Sequence, residues 1–209
     1  LLKLPREQLT VKDIYEYNDT ARSGYPLQTM EEIKHFLPVM IDLFVLEEEI
    51  CHSTELFFMR LENIPLEEWT SEELQLIQVF VESYWKYCLS SESLPFEEDI
   101  EGLWLCLHNF PCDKKELLKE WEQHFDPKEL LYFFETLNEL NYKKGMLGTA
   151  FATERNSKEL ALWLTSKSTL NKVILALERI FWEETHDLTE EETLKLESLH
   201  TLARFYSSK

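Results

Sequence analysis

Apolar residues recur along most of the chain with the spacing of amphipathic helices. In residues 31–44, EEIKHFLPVMIDLF, the apolar stripe keeps its phase across a proline at position 38. Its members are Ile33, Phe36, Leu37, Met40, Ile41 and Phe44. This pattern predicts one kinked helix, or two collinear ones, with Pro38 toward the polar side.

Short polar residues, each followed three positions later by an acid, precede many of the apolar segments. The pairs are Thr29–Glu32, Thr70–Glu73, Asp113–Glu116, Asn156–Glu159 and Thr189–Glu192, and Asp126, Pro127 and Glu129 form a related start. In such a capping box, each side chain accepts a hydrogen bond from an N–H group that the other helix residues leave unused. The combined signals predict helices at 4–17, 30–50, 52–63, 70–89, 96–109, 114–125, 127–145, 157–166, 169–185 and 189–206.

These segments predict an all-α fold of about ten antiparallel helices, in a bundle or an irregular array of helical pairs. Only 4 glycines occur in 209 residues, which disfavours hairpins and tight turns. We expect a single all-α domain over 1–209, or its subdivision into an N-terminal helical layer, 1–140, and a C-terminal three-helix part, 157–209. The stretch 141–156 is either a linker or a functional loop.

Nearly all the net negative charge lies in one third of the chain. The formal net charge is −19, and residues 31–101 alone hold 18 acids and 3 bases. Such an excess repels nucleic-acid phosphates and anionic membrane surfaces, so neither is an expected partner. The candidate partner-binding residues are the clustered acids Glu47, Glu48, Glu49, Glu67, Glu68, Glu72, Glu73, Glu97, Glu98 and Asp99.

These acids admit three interpretations. They are a solvated face, a docking surface for a basic protein, or ligands of a metal. If the acids are a docking surface, we expect a non-enzymatic interaction module with an immunity-like or adaptor-like role. The reason is that opposite charges accelerate association and suppress wrong partners. Several clusters fall at predicted helix ends, so they could merge into one acidic rim.

Enzymatic chemistry has little support in the motifs. The chain has no phosphate loop, dinucleotide fingerprint, nucleophile elbow or HExxH motif. His52 and Glu55 have the spacing of helical di-iron ligands, but in reversed order and in one copy, so no metal or cofactor is expected. The alternative function is an enzyme or small-molecule binder with a site between helices near His35, His52 and Glu55. A purely structural subunit is a third hypothesis.

The cysteines indicate a reducing compartment, and the apolar runs are too short for a membrane span. Cys51, Cys88, Cys106 and Cys112 form no CxxC pair, which predicts reduced thiols packed as small apolar side chains. No apolar run approaches the length of a membrane span. We therefore expect a cytoplasmic protein.

Two stretches of the chain have a distinctive apolar pattern. One is EEIKHFLPVMIDLF, with its FLP helix near the N-terminus, and the other is SKELALWLTSKSTLNKVILALERIFWE, a leucine- and tryptophan-rich helix pair. Together they resemble a family of uncharacterised bacterial helical proteins. The resemblance implies a bacterial, cytoplasmic, all-helical protein. The function of that family is unknown, so the resemblance assigns no role to any residue.

Overall fold

The computed structural model describes residues 5–19, 26–53, 56–91, 93–97, 99–142, 147, 153–183 and 188–207. All regular structure in these ranges is helical, which confirms the all-α prediction. Within them the helices are α1 Val11–Asp19, α2 Pro26–Val45, α3 Ser71–Ser90, α4 Ile100–His108, α5 Lys114–His124, α6 Pro127–Tyr142, α7 Glu154–Leu164, α8 Lys167–Glu183 and α9 Glu190–Ser207. Short 3-10 segments stand between some of them.

The chain forms two compact units. Unit 1 comprises Leu1–Val81 and Ser93–Cys112, and unit 2 comprises Glu82–Glu92 and Asp113–Lys209. Helix α3 contributes residues to both units. This division does not test the prediction of a single domain over 1–209 or of its parts, 1–140 and 157–209, so both remain predictions.

Helix α2 supplies much of the core of unit 1. It continues through Pro38, and the predicted apolar stripe is its packed face, with all members buried except the half-buried Ile41. Pro38 itself is exposed, as the helical pattern predicts. The ring of Phe44, near the end of α2, lies 5.1 Å from that of Phe58 and 5.3 Å from that of Phe96. These aromatic contacts hold the segments around Phe58 and Phe96 against α2.

The predicted α-helix over 52–63 is wrong. Its described part is bends and turns followed by a 3-10 helix, Met59–Asn63, and Glu55 lies outside the described residues. The buried side chains are Phe57, Phe58, Leu61 and Ile64, a spacing that also fits an α-helix, so the apolar pattern does not distinguish the two kinds of helix. The N–H groups of Leu61 and Ile64 donate to carbonyls three residues earlier, at 2.9 and 3.1 Å.

The predicted helix starts are confirmed where the two capping side chains bond reciprocally. This holds at Thr70–Glu73, Asp126–Glu129 and Thr189–Glu192. Asp113 caps α5 through the N–H of Lys115, at 3.0 Å. Each of these bonds joins residues two or three positions apart, which is why the local sequence predicts them.

Other predicted starts are wrong by a few residues. Helix α2 begins at Pro26, so Thr29 lies inside it and cannot cap it. Helix α7 begins after Thr153, whose side chain and that of Asn156 form the capping box. The helix predicted over 169–185 begins instead at Lys167, and Ser166 accepts the N–H of Thr169 at its start. In the last two cases an equally good polar cap stands a few residues earlier in the chain.

Unit 2 has a tryptophan-rich core. Trp85 and Trp121 are fully buried, with ring centroids 5.6 Å apart, and the indole N–H of Trp85 donates to the Leu117 carbonyl at 3.0 Å. The side chain of Glu122 on α5 accepts hydrogen bonds from the Trp163 indole and the Thr169 hydroxyl, each at 2.8 Å, and from Lys172. One carboxylate therefore ties α5 to both α7 and α8.

Candidate functional site

The first group of predicted acids follows the end of α2. This helix ends in a Schellman motif, in which the N–H of Glu48 donates to the Leu43 carbonyl and that of Glu47 to Phe44, at 3.0 and 3.1 Å. Glu47 occupies the left-handed position, with φ 58°, where glycine is usual. Glu47, Glu48 and Glu49 are all exposed.

Glu47 also has a structural role. Its carboxylate accepts the backbone N–H of Phe96 at 3.3 Å, and Phe96 has a left-handed backbone with φ 59°. Asp99, three residues further on, caps α4 by accepting the N–H of Gly102 at 2.7 Å. The structure therefore brings Glu47 and the 95–97 segment together. Glu98 and the side chain of Glu97 lie outside what is described.

The second group surrounds the start of α3. One carboxylate oxygen of Glu73 accepts the N–H of Thr70 and the ammonium of Lys34, each at 2.8 Å. Lys34 also donates to the Glu68 carbonyl at 2.6 Å and lies 4.5 Å from the centre of the Trp69 ring. The ammonium of Lys34 and the N–H of Thr70 hold the pKa of Glu73 below its ordinary value. Glu73 is therefore a charged partner of Lys34.

We divide the described candidate acids of unit 1 into two groups by their positions in the chain and by the contact of Glu47 with Phe96. We call Glu47, Glu48, Glu49 and Asp99 the α2-end patch, and Glu67, Glu68, Glu72 and Glu73 the α3-start patch. Lys34, which contacts the second patch, precedes Glu47 by thirteen residues, and a helix rises about 1.5 Å per residue, or ~20 Å in all. The merger of these clusters into one rim stays a prediction.

An apolar groove of about 330 Å³ starts at Lys34 and Glu73. Helix α2 contributes Leu37, Pro38, Ile41 and Asp42 to its lining. The rest of the apolar lining comes from Trp69 and from one face of α3, at Leu76, Ile77 and Phe80. The charge patterns along the sequence gave no sign of this groove, because its walls are 30 to 40 positions apart.

The basic residues of unit 1 that belong to the acidic stretch are both engaged. Within 31–81 and 93–112 the sequence has only Lys34 and Arg60. Arg60 donates to the Asn18 carbonyl at 2.7 Å, and its guanidinium lies 4.9 Å from the centre of the Tyr17 ring. Both cations therefore serve the fold of unit 1.

Of the residues of the alternative site, His35 and His52 have different partners in the structure, and Glu55 lies outside the described residues. His35 is half-buried on α2, with its ring against that of Phe36 at 5.1 Å. His52 is exposed, and its Nδ1 lies 3.5 Å from a carboxylate oxygen of Asp19. In the part of the chain that the structure describes, no group of three metal-ligating side chains converges.

None of the four cysteines, all of which lie within the described residues, forms a disulfide, and three of them are buried while Cys112 is half-buried. That these thiols are reduced stays a prediction. Among the described helices, none combines the length and the apolar character of a membrane-spanning segment.

Comparison with known proteins adds no relative. No family model matches the chain, and no curated protein and no solved structure shows significant similarity to it. The resemblance to a bacterial family with an FLP helix therefore stays a prediction.

Proposed function

We propose that the chain is a non-enzymatic interaction protein, an antiparallel helical array of the bacterial cytoplasm, that binds a basic protein through unit 1. The observation that carries this proposal is the scarcity of cations among these acids. Residues 31–81 and 93–112 hold 16 acids against Lys34 and Arg60, and Lys34 is already bonded to Glu73.

Most of the described acids in these ranges are exposed. Glu48 and Glu49 in the α2-end patch, and Glu67, Glu68 and Glu72 in the α3-start patch, are all open to solvent. Because long-range attraction between opposite charges raises association rates, such patches suit a partner with a basic surface. A regulatory adaptor and a protein that neutralises a basic toxin would both use this property.

Affinity capture from bacterial lysate tests the proposal. The full chain is compared with a variant carrying Glu67→Gln, Glu68→Gln and Glu72→Gln, at low and at moderate salt. The wild type should recover a basic protein whose yield falls with salt, because screening shortens the range of exposed charges. The variant should recover several-fold less of the same protein at low salt.

Unit 2 provides a control of equal charge. Glu190→Gln, Glu191→Gln and Glu197→Gln remove three exposed acids from α9. This control should recover as much partner as the wild type. Equal losses from both triple variants would indicate a nonspecific effect of net charge, and the absence of any salt-sensitive partner would contradict the proposal outright.

A further inference from the structure

The groove in unit 1 presents apolar side chains that α2 and α3 leave uncovered. Leu37 and Ile77 are nearly buried and form its floor, whereas Leu76 is 71% exposed and Pro38 is exposed at its margin. An exposed leucine beside an apolar groove gains free energy when another apolar side chain covers it. This surface therefore favours an occupant with apolar side chains.

The dimensions of the groove suit two turns of a helix. Its lining on α2 runs from Lys34 to Asp42, which are eight positions apart, or about 12 Å along the helix. A partner helix lying over that distance presents apolar residues at i, i+3, i+4 and i+7 on one face. A cavity of about 330 Å³ holds a few side chains of this kind and no more.

The charges around the groove favour an occupant with positively charged side chains. Its lining includes the carboxylates of Asp42 and Glu73, and the one ammonium in the lining, that of Lys34, is bonded to Glu73. Exposed Glu72 lies next to Glu73 in the chain, and Glu48 follows Asp42 by six residues. Lysine or arginine beside the apolar residues of a partner would meet these carboxylates.

A second copy of the chain is a poor occupant by the same reasoning. Each copy carries a net charge of −19, so association through the acidic unit would bring like charges together. An acidic amphipathic helix meets the same repulsion. Charge complementarity therefore singles out a basic helix.

We propose that this groove docks an amphipathic helix of the basic partner, an inference that rests on the function proposed above. The helix carries an apolar stripe of about two turns flanked by lysine or arginine. Its leucine-like side chains cover Leu76 and fill the space above Leu37 and Ile77. Its cations face Asp42 and the α3-start patch.

Synthetic peptides of about 18 residues, or five helical turns, serve as probes. The first has leucine at i, i+3, i+4 and i+7 with lysine elsewhere. The second has the same lysines, with serine in place of leucine. The third has the leucines, with serine in place of lysine. Each carries a fluorescent label, and anisotropy reports its binding to the full chain.

Matched protein variants locate the binding site. Leu76→Ser removes an exposed side chain of the groove, and Leu162→Ser removes an equally exposed leucine, 63% accessible, from unit 2. Neither position is buried, so circular dichroism should show both variants folded. We expect Leu76→Ser to weaken binding of the leucine–lysine peptide about tenfold and Leu162→Ser to leave it unchanged.

The outcomes separate the two proposals. If the lysine–serine peptide binds as tightly as the leucine–lysine peptide, the acidic surface binds basic partners and docking in the groove is refuted. If the leucine–serine peptide binds as tightly, charge has no role and the occupant is instead an apolar ligand. Equal effects of Leu76→Ser and Leu162→Ser also overturn the docking proposal. If no peptide binds, the groove proposal fails, and the function proposed above rests on the capture experiment.

Discussion

Glu129 on α6 is a buried carboxyl group whose protonation should change the stability of unit 2. Glu129 is 4% exposed, and its carboxylate accepts a long hydrogen bond, 3.4 Å, from the N–H of Asp126. Burial, together with the carboxylates of Asp126 and Glu120, raises the pKa of Glu129 to about 8. The Asp126 N–H and the ammonium of Lys128 oppose this shift without cancelling it. At neutral pH the folded protein therefore keeps a proton on Glu129.

The size of the effect follows from the two pKa values. The ordinary pKa of a glutamate, 4.5, applies to the unfolded chain, and the folded value is about 8. The stability contributed by the protonated side chain is complete below pH 4.5 and is lost as the pH rises toward 8. At pH 7 the loss is about 3 kcal/mol, from 1.36 kcal/mol for each pH step above 4.5.

The substitution Glu129→Gln tests this effect, because glutamine is neutral at every pH and still accepts the N–H of Asp126. We expect the variant to match the wild type near pH 4.5 and to become more stable by about 3 kcal/mol at pH 7. Urea unfolding at several pH values, with hydrogen exchange of α6 to localise the change, measures the difference. Glu139→Gln, at an exposed position of the same helix, is the control.

The comparison between variants cancels the titration of the other acids. A constant difference between Glu129→Gln and the wild type across this pH range would refute the buried, protonated carboxyl group. A variant less stable than the wild type at pH 7 would show that the charged carboxylate supports the start of α6.

Two further substitutions test single contacts by urea unfolding. Burial alone would raise the pKa of Glu122, but the hydrogen bonds from Lys172 and two neutral donors lower it. The stability that charged Glu122 contributes is therefore present above pH 4.5 and is lost as the pH falls through the lowered pKa. Glu122→Gln should lower the free energy of unfolding by about 2 kcal/mol at pH 7 and make it less sensitive to acid, and an unchanged urea midpoint at pH 7 would contradict this. Glu47→Gly should stabilise by up to about 1 kcal/mol, because glycine tolerates the left-handed backbone. Glu48→Gly is its control, and a clear loss of stability in Glu47→Gly would mean that the bond to Phe96 outweighs the strain.

The helical fold was predictable because its main signals are local. The apolar stripe of α2 spans one helix, and the caps at Thr70, Asp126 and Thr189 bond to side chains three residues away. Such signals need no knowledge of distant contacts. They failed over 52–63, where the spacing of the buried side chains also fits an α-helix but the chain forms turns and a 3-10 helix.

The sequence patterns could not predict the groove or the burial of individual acids. Glu129 has the position of an exposed first-turn acid, and its burial depends on packing near α5, where the Trp121 indole donates to its carbonyl at 3.3 Å. The groove likewise depends on where α3 passes α2. The candidate acids could be named from their clustering, but not the bond of Glu47 to Phe96, 49 positions later.

The exposed carboxylates and the groove should control different steps of partner binding. The carboxylates act before contact, over a distance of about 8 Å at physiological ionic strength, so their removal should mainly slow association. Leu76 gains free energy only after a side chain covers it, so its removal should mainly speed dissociation. Kinetic measurements with the leucine–lysine peptide therefore distinguish the two surfaces. If Leu76→Ser slowed association and left dissociation unchanged, the groove would not be in contact with the bound peptide.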